Sequence, residues 1–258
     1  MKRFLLILLG LFIAGCEAQA TPIAALITPT DTPPPTTVPL PELRYAVASN
    51  LVPYAGNLEQ TVAFEVYDSN LPLSEYDVVV AYGVYDGWQQ APQSHRVSLV
   101  LNPNLPPFDD ATIRGMIPQI IDIQAVLDTI AIPGVQQTAV LTVQSSTVLR
   151  TELANAGYPD GFPVTLATEV VPAVDILIGQ LSQLALDVRL IEISDTVLSD
   201  NQAHMLLFMW SQESERATWS AQVGDENVID LWTMPISYVT AEGIQVEFNE
   251  NGLPIPLE

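Results

Sequence analysis

The sequence predicts an α/β protein in which helices cover a mainly parallel sheet. From residue 43 onward, apolar runs of strand length alternate with longer segments that have the 3.6-residue apolar spacing of a helix. The runs 77–82 (DVVVAY) and 205–210 (MLLFMW) are apolar almost throughout, which is typical of strands buried on both faces. Hydrophobic residues make up 48% of the chain, enough for a sizeable core. The sequence shows no internal repeat.

The chain begins with the features of a secretory signal. Lys2 and Arg3 precede an apolar run at 4–12 that is too short to span a bilayer. Residues 13–16 (IAGC) resemble the lipobox of bacterial lipoproteins. The resemblance implies cleavage after residue 15 and lipidation of Cys16, which would hold the protein on the extracytoplasmic face of the cell membrane. An ordinary signal peptide and an uncleaved anchor are the alternatives.

Residues 16–42 are rich in proline and threonine, a composition that excludes helix and favours an extended spacer. We therefore expect a signal peptide at 1–15, a tether at 16–42 and a folded domain at 43–258. Cys16 is the only cysteine, so no disulfide can stabilise that domain.

Ten strands and three helices are predicted in the domain, in chain order. Strands are expected at 43–48, 62–66, 77–82, 96–101, 138–143, 162–167, 187–193, 205–210, 228–238 and 244–248. Helices are expected at 110–130, 145–156 and 171–185, and a short helix or turn at 53–60. The first helix rests on the spacing of Ile113, Ile117 and Ile120, and the second ends before Gly157 and Pro159.

Charge and composition exclude several classes of function. The net charge of −22 repels nucleic acid phosphates and anionic lipid headgroups, so we expect no nucleic acid partner. His95 and His204 are the only histidines, and Asp200 near His204 is too small a cluster to predict a metal site. Ser145 and Ser146 lie in no Gly-x-Ser-x-Gly setting, and no glycine-rich phosphate loop is present. We expect neither an enzyme nor a cofactor.

Three blocks resemble extracellular solute-binding proteins of family 5, the peptide- and nickel-binding lipoproteins of ABC importers. They are 106–110 (PPFDD) with Arg114 and Asp122, 152–162 (ELANAGYPDGF), and 205–211 (MLLFMWS). The resemblance implies a two-lobe fold of the type II periplasmic-binding-protein kind. Because typical members are about twice as long, the first lobe would be reduced. It would cover about 43–96, the second lobe about 97–211, and return strands about 212–258.

Within the blocks, Phe108 would seat a helix start, Asp109 and Asp110 are N-cap candidates, and Gly157 suits a left-handed helix end. None of these residues is a catalytic group. The match therefore assigns a fold better than it assigns a ligand.

Ligands of open α/β sheets bind beyond the carboxyl ends of parallel strands. This rule predicts ligand-binding positions at strand ends and at one helix start: Ser49, Asn50, Tyr82, Tyr85, Asp86, Trp88, Ser145, Ser146, Trp210 and Ser211. The aromatic residues suit an amphipathic or cationic solute, with Asp86 as countercharge. The alternatives are core packing for Tyr82 and Trp210, caps for the serines, and a turn at Asp86.

These observations lead to one hypothesis and one alternative. The protein is expected to be a monomeric, lipid-anchored solute-binding protein that captures a small solute or short peptide and delivers it to an ABC permease. Its lobes would close by hinge motion near 93–102 and 211–227. The alternative is a degenerate binding-protein fold that serves as an envelope scaffold or interaction module.

Overall fold

One nine-stranded mixed sheet runs through the whole fold. The computed structural model describes residues 43–49, 51–52, 62–67, 73–169 and 171–257, all within the compact unit Glu42–Glu258. The sheet contains β1 (Tyr45–Ala48), β2 (Phe64–Tyr67), β3 (Val78–Tyr82), β4 (Gln89–Leu101), β5 (Gln136–Gln137), β6 (Pro163–Thr168), β7 (Asp187–Ile191), β8 (Met205–Trp210) and β9 (Val228–Thr240). Eight of these strands lie in the order β2-β1-β3-β9-β4-β8-β6-β7, and β5 pairs with β9.

The two halves of the sheet have the same pattern. In the first half β1 lies parallel to β2 and β3, and β3 lies antiparallel to β9. In the second half β6 lies parallel to β7 and β8, and β8 lies antiparallel to β4. The long strands β4 and β9 pair with each other at the centre, also antiparallel. The order and the relative directions of the strands in one half therefore match those in the other, counted outward from the β4–β9 pair.

The α/β class is confirmed, and the prediction of a mainly parallel sheet is wrong. Parallel pairs lie only in the two flanks, whereas every pair that involves β4 or β9 is antiparallel. These strands each have 13 residues, because the chain crosses between the halves along them. The lobe boundaries stay a prediction, and the signal peptide, the tether and the expected short helix at 53–60 lie outside the described residues.

Five helices are present in the described ranges: α1 (Ala111–Ile120), α2 (Ile123–Ile130), α3 (Ser146–Asn155), α4 (Val174–Ser182) and α5 (Glu213–Val223). The single helix expected at 110–130 is in fact α1 and α2. The chain leaves the helical conformation at Ile121, and Asp122 caps the second helix by accepting from the Ala125 N–H at 3.2 Å.

One further expectation is wrong, and one helix was not expected. Residues 138–143 form no strand: the last backbone bond to β9 is from the Thr138 N–H to the Leu231 carbonyl, at 2.9 Å, and the chain then continues without strand pairing to α3. Helix α5 was not predicted, since its polar sequence (ESERATWSAQV) buries only Trp219 and Val223. The cap at Asp110, the buried Phe108 and the left-handed Gly157 agree with the expectations for these residues.

Alternate residues of the sheet face two cores. Val97 and Leu99 of β4 belong to a large apolar cluster that includes Ile113 of α1, Leu149 of α3 and Leu177 of α4. Val100 faces a second cluster with Trp219 of α5. The large cluster contains residues from both halves, including Tyr45 of β1 and Leu166 of β6. The halves consequently share one continuous core.

The chain ends in a separate two-stranded hairpin, formed by β10 (Val246–Phe248) and β11 (Pro254–Pro256). A strand was expected at 244–248, but β11 was not. Its turn is built by Asn249, whose side-chain Oδ1 accepts from the N–H groups of Asn251 and Leu253 at 3.0 and 2.9 Å. Gly252 completes the turn with a φ of +73°.

Candidate functional site

Strands β3 and β8 end beside the same stretch of the central β4–β9 pair. β3 ends next to β9, and β8 ends next to β4. Tyr82 at the end of β3 pairs with Ile236 of β9, and Trp210 at the end of β8 pairs with Arg96 of β4. Residues 94–96 of β4 in turn lie opposite 233–235 of β9. The strand-end rule therefore selects one region of the molecule, at the junction of the two halves.

One side of this junction is closed by side chains. The Tyr82 hydroxyl hydrogen-bonds to Nδ1 of His95 and lies 3.7 Å from the sulfur of Met209, so it joins β3, β4 and β8. His95 Nε2 lies 2.9 Å from the backbone oxygen of Asn251 in the hairpin turn. Tyr82 is fully buried and His95 is nearly so. Burial lowers the pKa of His95, although the Asn251 carbonyl and the charge of Glu215 act in the opposite direction.

The other side of the junction is an open polar groove of about 610 Å³, a size that accommodates a small solute. It lies between the middle of β4 and the start of α5. Nine residues line it: Pro92, Gln93, Ser94, Arg96, Ser211, Gln212, Glu213, Ser214 and Thr233. Hydroxyl and amide groups predominate, and the charged groups among the nine are one guanidinium and one carboxylate.

Those two charges are paired at the groove. Arg96 Nη1 donates to Glu213 Oε1 at 2.8 Å, and the guanidinium lies over the Trp210 ring, 4.9 Å from its centre. Both charged side chains remain substantially exposed, so the ion pair contributes little to stability and is open to exchange with a charged ligand. The pair can offer a cation to one end of a solute and an anion to the other.

A polar network, buried at Trp210 and Ser98 and exposed at its far end, lies beneath Arg96. Trp210 Nε1 donates to the Ser98 hydroxyl at 2.8 Å, and Ser98 donates to Asp230 at 2.7 Å. Asp230 also accepts from Arg216 of α5 at 3.0 Å, and Arg216 reaches Asp225 at 2.6 Å. The indole is therefore fixed by hydrogen bonds that extend through three strands and a helix.

The predicted ligand-binding residues fall into separate places. Trp210 and Ser211 lie at the groove, with Trp210 only 3% exposed beneath Arg96. Tyr82 is packed in the core, on the closed side. For Tyr82, and for Trp210 in the second core, the structure matches the core-packing alternative.

The segment after β3 folds back on the first half of the sheet. Tyr85 donates to the Tyr82 carbonyl at 2.7 Å, and its ring lies 5.0 Å from that of Trp88. Trp88 packs on a small cluster that contains Tyr76 and Val79. Asp86 is an exposed turn residue next to Gly87, which has a φ of +81°. Trp88 is thus covered by its own chain, and these residues do not reach the groove's lining.

The remaining predicted positions lie elsewhere. Ser49 is exposed after β1, and its N–H donates to the Tyr67 carbonyl at 3.0 Å. Asn50 lies outside the described residues. Ser145 caps α3 by accepting from the Val148 N–H at 3.4 Å, and Ser146 begins the helix. A ligand role for these residues stays a prediction.

Most of the groove's lining escaped sequence analysis. The first half of β4, from Gln89 to Ser94, is polar and mostly exposed, so it gives no apolar strand signal. Arg96 stands just before the apolar run and looks like an ordinary strand-flanking charge. Glu213 and Ser214 belong to the unpredicted α5. The one sequence signal for Glu213 and Ser214 is that a polar helix start follows directly after the aromatic Trp210.

In the part of the chain that the structure describes, no group of three or more acidic, histidine or cysteine side chains is arranged to hold a metal ion. No helix among those residues has the length and hydropathy needed to cross a bilayer.

Comparisons with known proteins give similarities to solved structures alone. No protein-family model and no curated protein matches the chain. A substrate-binding protein from Microbacterium hydrocarbonoxydans, solved with 4-hydroxybenzoate hydrazide, is 13% identical, with a TM-score of 0.48 over 69% of this chain and 53% of that one. A dipeptide-binding protein from Pseudoalteromonas sp. SM9913, solved with Met-Leu, is 12% identical, with a TM-score of 0.48 over 76% and 53% of the two chains.

A periplasmic binding protein from Helicobacter pylori, associated with an ABC transporter and solved with a peptide, is 12% identical. Its TM-score is 0.47 over 74% of this chain and 48% of that one. The chain thus spans about half the length of each of these three solute-binding proteins.

Proposed function

We propose that this chain is an extracytoplasmic, lipid-anchored solute-binding protein that takes a small polar solute into the groove beside Arg96 and presents it to an ABC permease. The observation that carries the proposal is the position of the groove. It lies at the carboxyl end of β8, where both halves of the sheet meet the crossing strand β4. The three sequence blocks that resemble family 5 binding proteins add independent support.

The lining suggests the kind of solute. Serine and threonine hydroxyls and glutamine amides offer both donors and acceptors, while Arg96 and Glu213 offer one charge of each sign. A zwitterion such as an amino acid or a short peptide could exchange its own charges for the existing ion pair. A strongly anionic solute is disfavoured, because Arg96 is the one cationic side chain among the nine lining residues and the chain's net charge is −22.

The test is a thermal-shift screen of the mature chain, residues 16–258 with Cys16→Ser, against amino acids, short peptides, polyamines and metal ions. A solute at about 100 times its Kd should raise the melting temperature by about 5–10 °C. Arg96→Ala should abolish the shift, whereas Arg189→Ala, at an exposed arginine of β7, should keep it. An undiminished shift in Arg96→Ala would place the solute elsewhere.

A second candidate is a non-transport envelope scaffold. It is favoured by the Tyr82–Met209 contact and by the apolar core that both halves share, since these contacts resist a hinge motion. A screen without any shift, together with scattering curves that no solute changes, would support the scaffold. Permease and ATPase genes beside the gene for this chain would support transport.

A further inference from the structure

The C-terminal hairpin touches the same residues that line the groove. Ser211 Oγ and Gln212 Nε2 both donate to the backbone oxygen of Glu250, at 3.1 and 2.6 Å. Gln212 Nε2 also lies 3.3 Å from Gln93 Oε1. Gly252 packs so closely that a Cβ at that position would lie 2.9 Å from the Cβ of Gln93. Three of the nine lining residues are therefore in contact with the turn.

The hairpin is attached by side chains rather than by a β-ladder. β10 and β11 pair with each other and form a sheet separate from the nine-stranded one. Further side-chain bonds join the turn and β11 to the rest of the fold: His95 Nε2 to the Asn251 oxygen at 2.9 Å, and the Tyr45 hydroxyl to the Pro254 oxygen at 2.7 Å. The hairpin also packs on the large core: Leu253 is fully buried in it, and Val246, Phe248 and Ile255 pack against it.

Such an attachment can open without unfolding the sheet. Release of the hairpin costs these bonds, about 1 kcal/mol each, and the burial of its apolar residues, but it breaks no ladder bond of the nine-stranded sheet. The Ser211 hydroxyl would then face the groove without its acceptor, and the Gln212 amide would keep only its bond to Gln93. An oxygen atom of a solute could replace the Glu250 carbonyl on the same two donors.

We propose that the C-terminal hairpin, residues 246–256, is a clasp that gates the groove: its turn and the solute compete for Ser211 and Gln212, so solute binding and clasp release are coupled. The competition with a solute rests on the proposed function, whereas the opening of the clasp does not depend on any solute. The moving part is then the hairpin, and the continuous core of the two halves can stay rigid. This reconciles a binding role with the packed junction at Tyr82.

The first test is hydrogen exchange of the mature chain with Cys16→Ser, in the absence of any solute. Tyr45→Phe removes one clasp bond far from the groove, and Ser211→Ala with Gln212→Ala removes two at the turn. Tyr45→Phe should speed exchange of the amides of 246–257 about fivefold, and the double change about thirtyfold, without a change in β8. Ser214→Ala, a groove residue that does not bond to the turn, is the control and should change neither region.

The second test measures access to the groove. In the Cys16→Ser background, Gln93→Cys gives a single thiol beneath the turn, and Ser214→Cys gives one in the groove away from it. Tyr45→Phe should raise the rate of maleimide labelling several-fold at position 93 and leave the rate at position 214 unchanged. Hairpin amides that exchange only with the whole sheet, or labelling at 93 that ignores Tyr45→Phe, would refute the clasp. Neither result depends on a solute, so the proposed function would be unaffected.

Discussion

Arg96 and Trp210 face each other directly across the β4–β8 ladder, with the guanidinium 4.9 Å from the centre of the indole ring. The indole is buried and hydrogen-bonded below by Ser98, whereas the guanidinium above it is open to the groove. A buried aromatic thus carries an exposed charge at a fixed place. This is the arrangement on which the solute proposal depends.

Two tryptophans allow a matched test of the bond between Trp210 and Ser98. Trp210 Nε1 has an acceptor, whereas Trp232 Nε1 is buried with no hydrogen-bond partner among the described residues. Replacement by phenylalanine removes similar volume at both sites. We expect Trp210→Phe to lower the free energy of unfolding by about 1 kcal/mol more than Trp232→Phe does. Urea unfolding of both variants measures the difference, and equal losses would contradict the assigned role of Ser98.

Two glycines with positive φ should differ sharply in their tolerance of alanine. At Gly157, with φ of +99°, an added Cβ meets nothing within 4 Å. Gly157→Ala should therefore lower the free energy of unfolding only through the strain of an alanine in the left-handed conformation, about 1–2 kcal/mol. At Gly161, with φ of +75°, the Cβ would lie 1.9 Å from the Ala185 oxygen. Gly161→Ala should therefore cost more than about 3 kcal/mol or prevent folding, as judged by thermal unfolding. Similar melting temperatures for the two variants would be the opposing result.

The break between α1 and α2 depends on Asp122. Its side chain caps α2 through the Ala125 N–H, and Gln180 of α4 bonds to both backbone groups of Asp122 at 3.1 Å. Asp122→Ala should lower the free energy of unfolding by about 0.5–2 kcal/mol through loss of the cap. Asp160→Ala, at an exposed turn acid, is the control and should stay within about 0.5 kcal/mol in chemical denaturation. If Asp122→Ala lowers the free energy of unfolding no more than Asp160→Ala does, the Asp122 side chain does not stabilise α2 as a cap.

Stability should fall as the pH is lowered from neutrality. Burial lowers the pKa values of His95 and His204 from 6.5, so the unfolded chain takes up these protons first. The two neutral imidazoles make their full contribution to the free energy of unfolding above pH 6.5. This contribution is lost as the pH falls through 6.5 towards the folded-state pKa values. Burial raises the pKa of Glu169 from 4.5, and this group acts in the opposite direction, with its contribution largest at low pH.

The measurement is the free energy of unfolding in urea between pH 7.5 and 5.5, for the wild type and for His95→Gln. The variant should show a shallower decline, because one of the two imidazoles with a lowered pKa is absent. Identical slopes would mean that His95 is not desolvated in the folded protein.

Sequence patterns predicted the parts of this fold that depend on local chemistry. The apolar run of β3 and the caps at Asp110 and Ser145 lie close to where the sequence placed them, because burial and capping leave marks within a few residues. The strand predicted at 138–143 failed for the converse reason. Its β-branched residues favour extended backbone, but the backbone bonds to β9 end at Thr138, and Val140 remains 95% exposed.

The groove could not be predicted because its residues come together only through long-range pairing. Arg96 meets Trp210 across β4 and β8, and the hairpin turn approaches them from the chain end. None of these contacts can be recognised from residues that are neighbours in the sequence. Of the positions that the strand-end rule selected, Ser211 lines the proposed groove and Trp210 lies beneath Arg96. The rule also selected Tyr82, because it cannot tell an open side of a junction from a packed one.

The position of β9 at the centre of the sheet has a consequence for how the protein is made. Val78 of β3 pairs with Thr240, about 160 residues later in the chain, so the first half cannot be completed until nearly all of the polypeptide is available. Until then β3 and the first half of β4 present bare hydrogen-bonding edges, which invite association with other chains. Assembly is therefore a late, cooperative event, and fragments that stop short of residue 228 should be prone to aggregation.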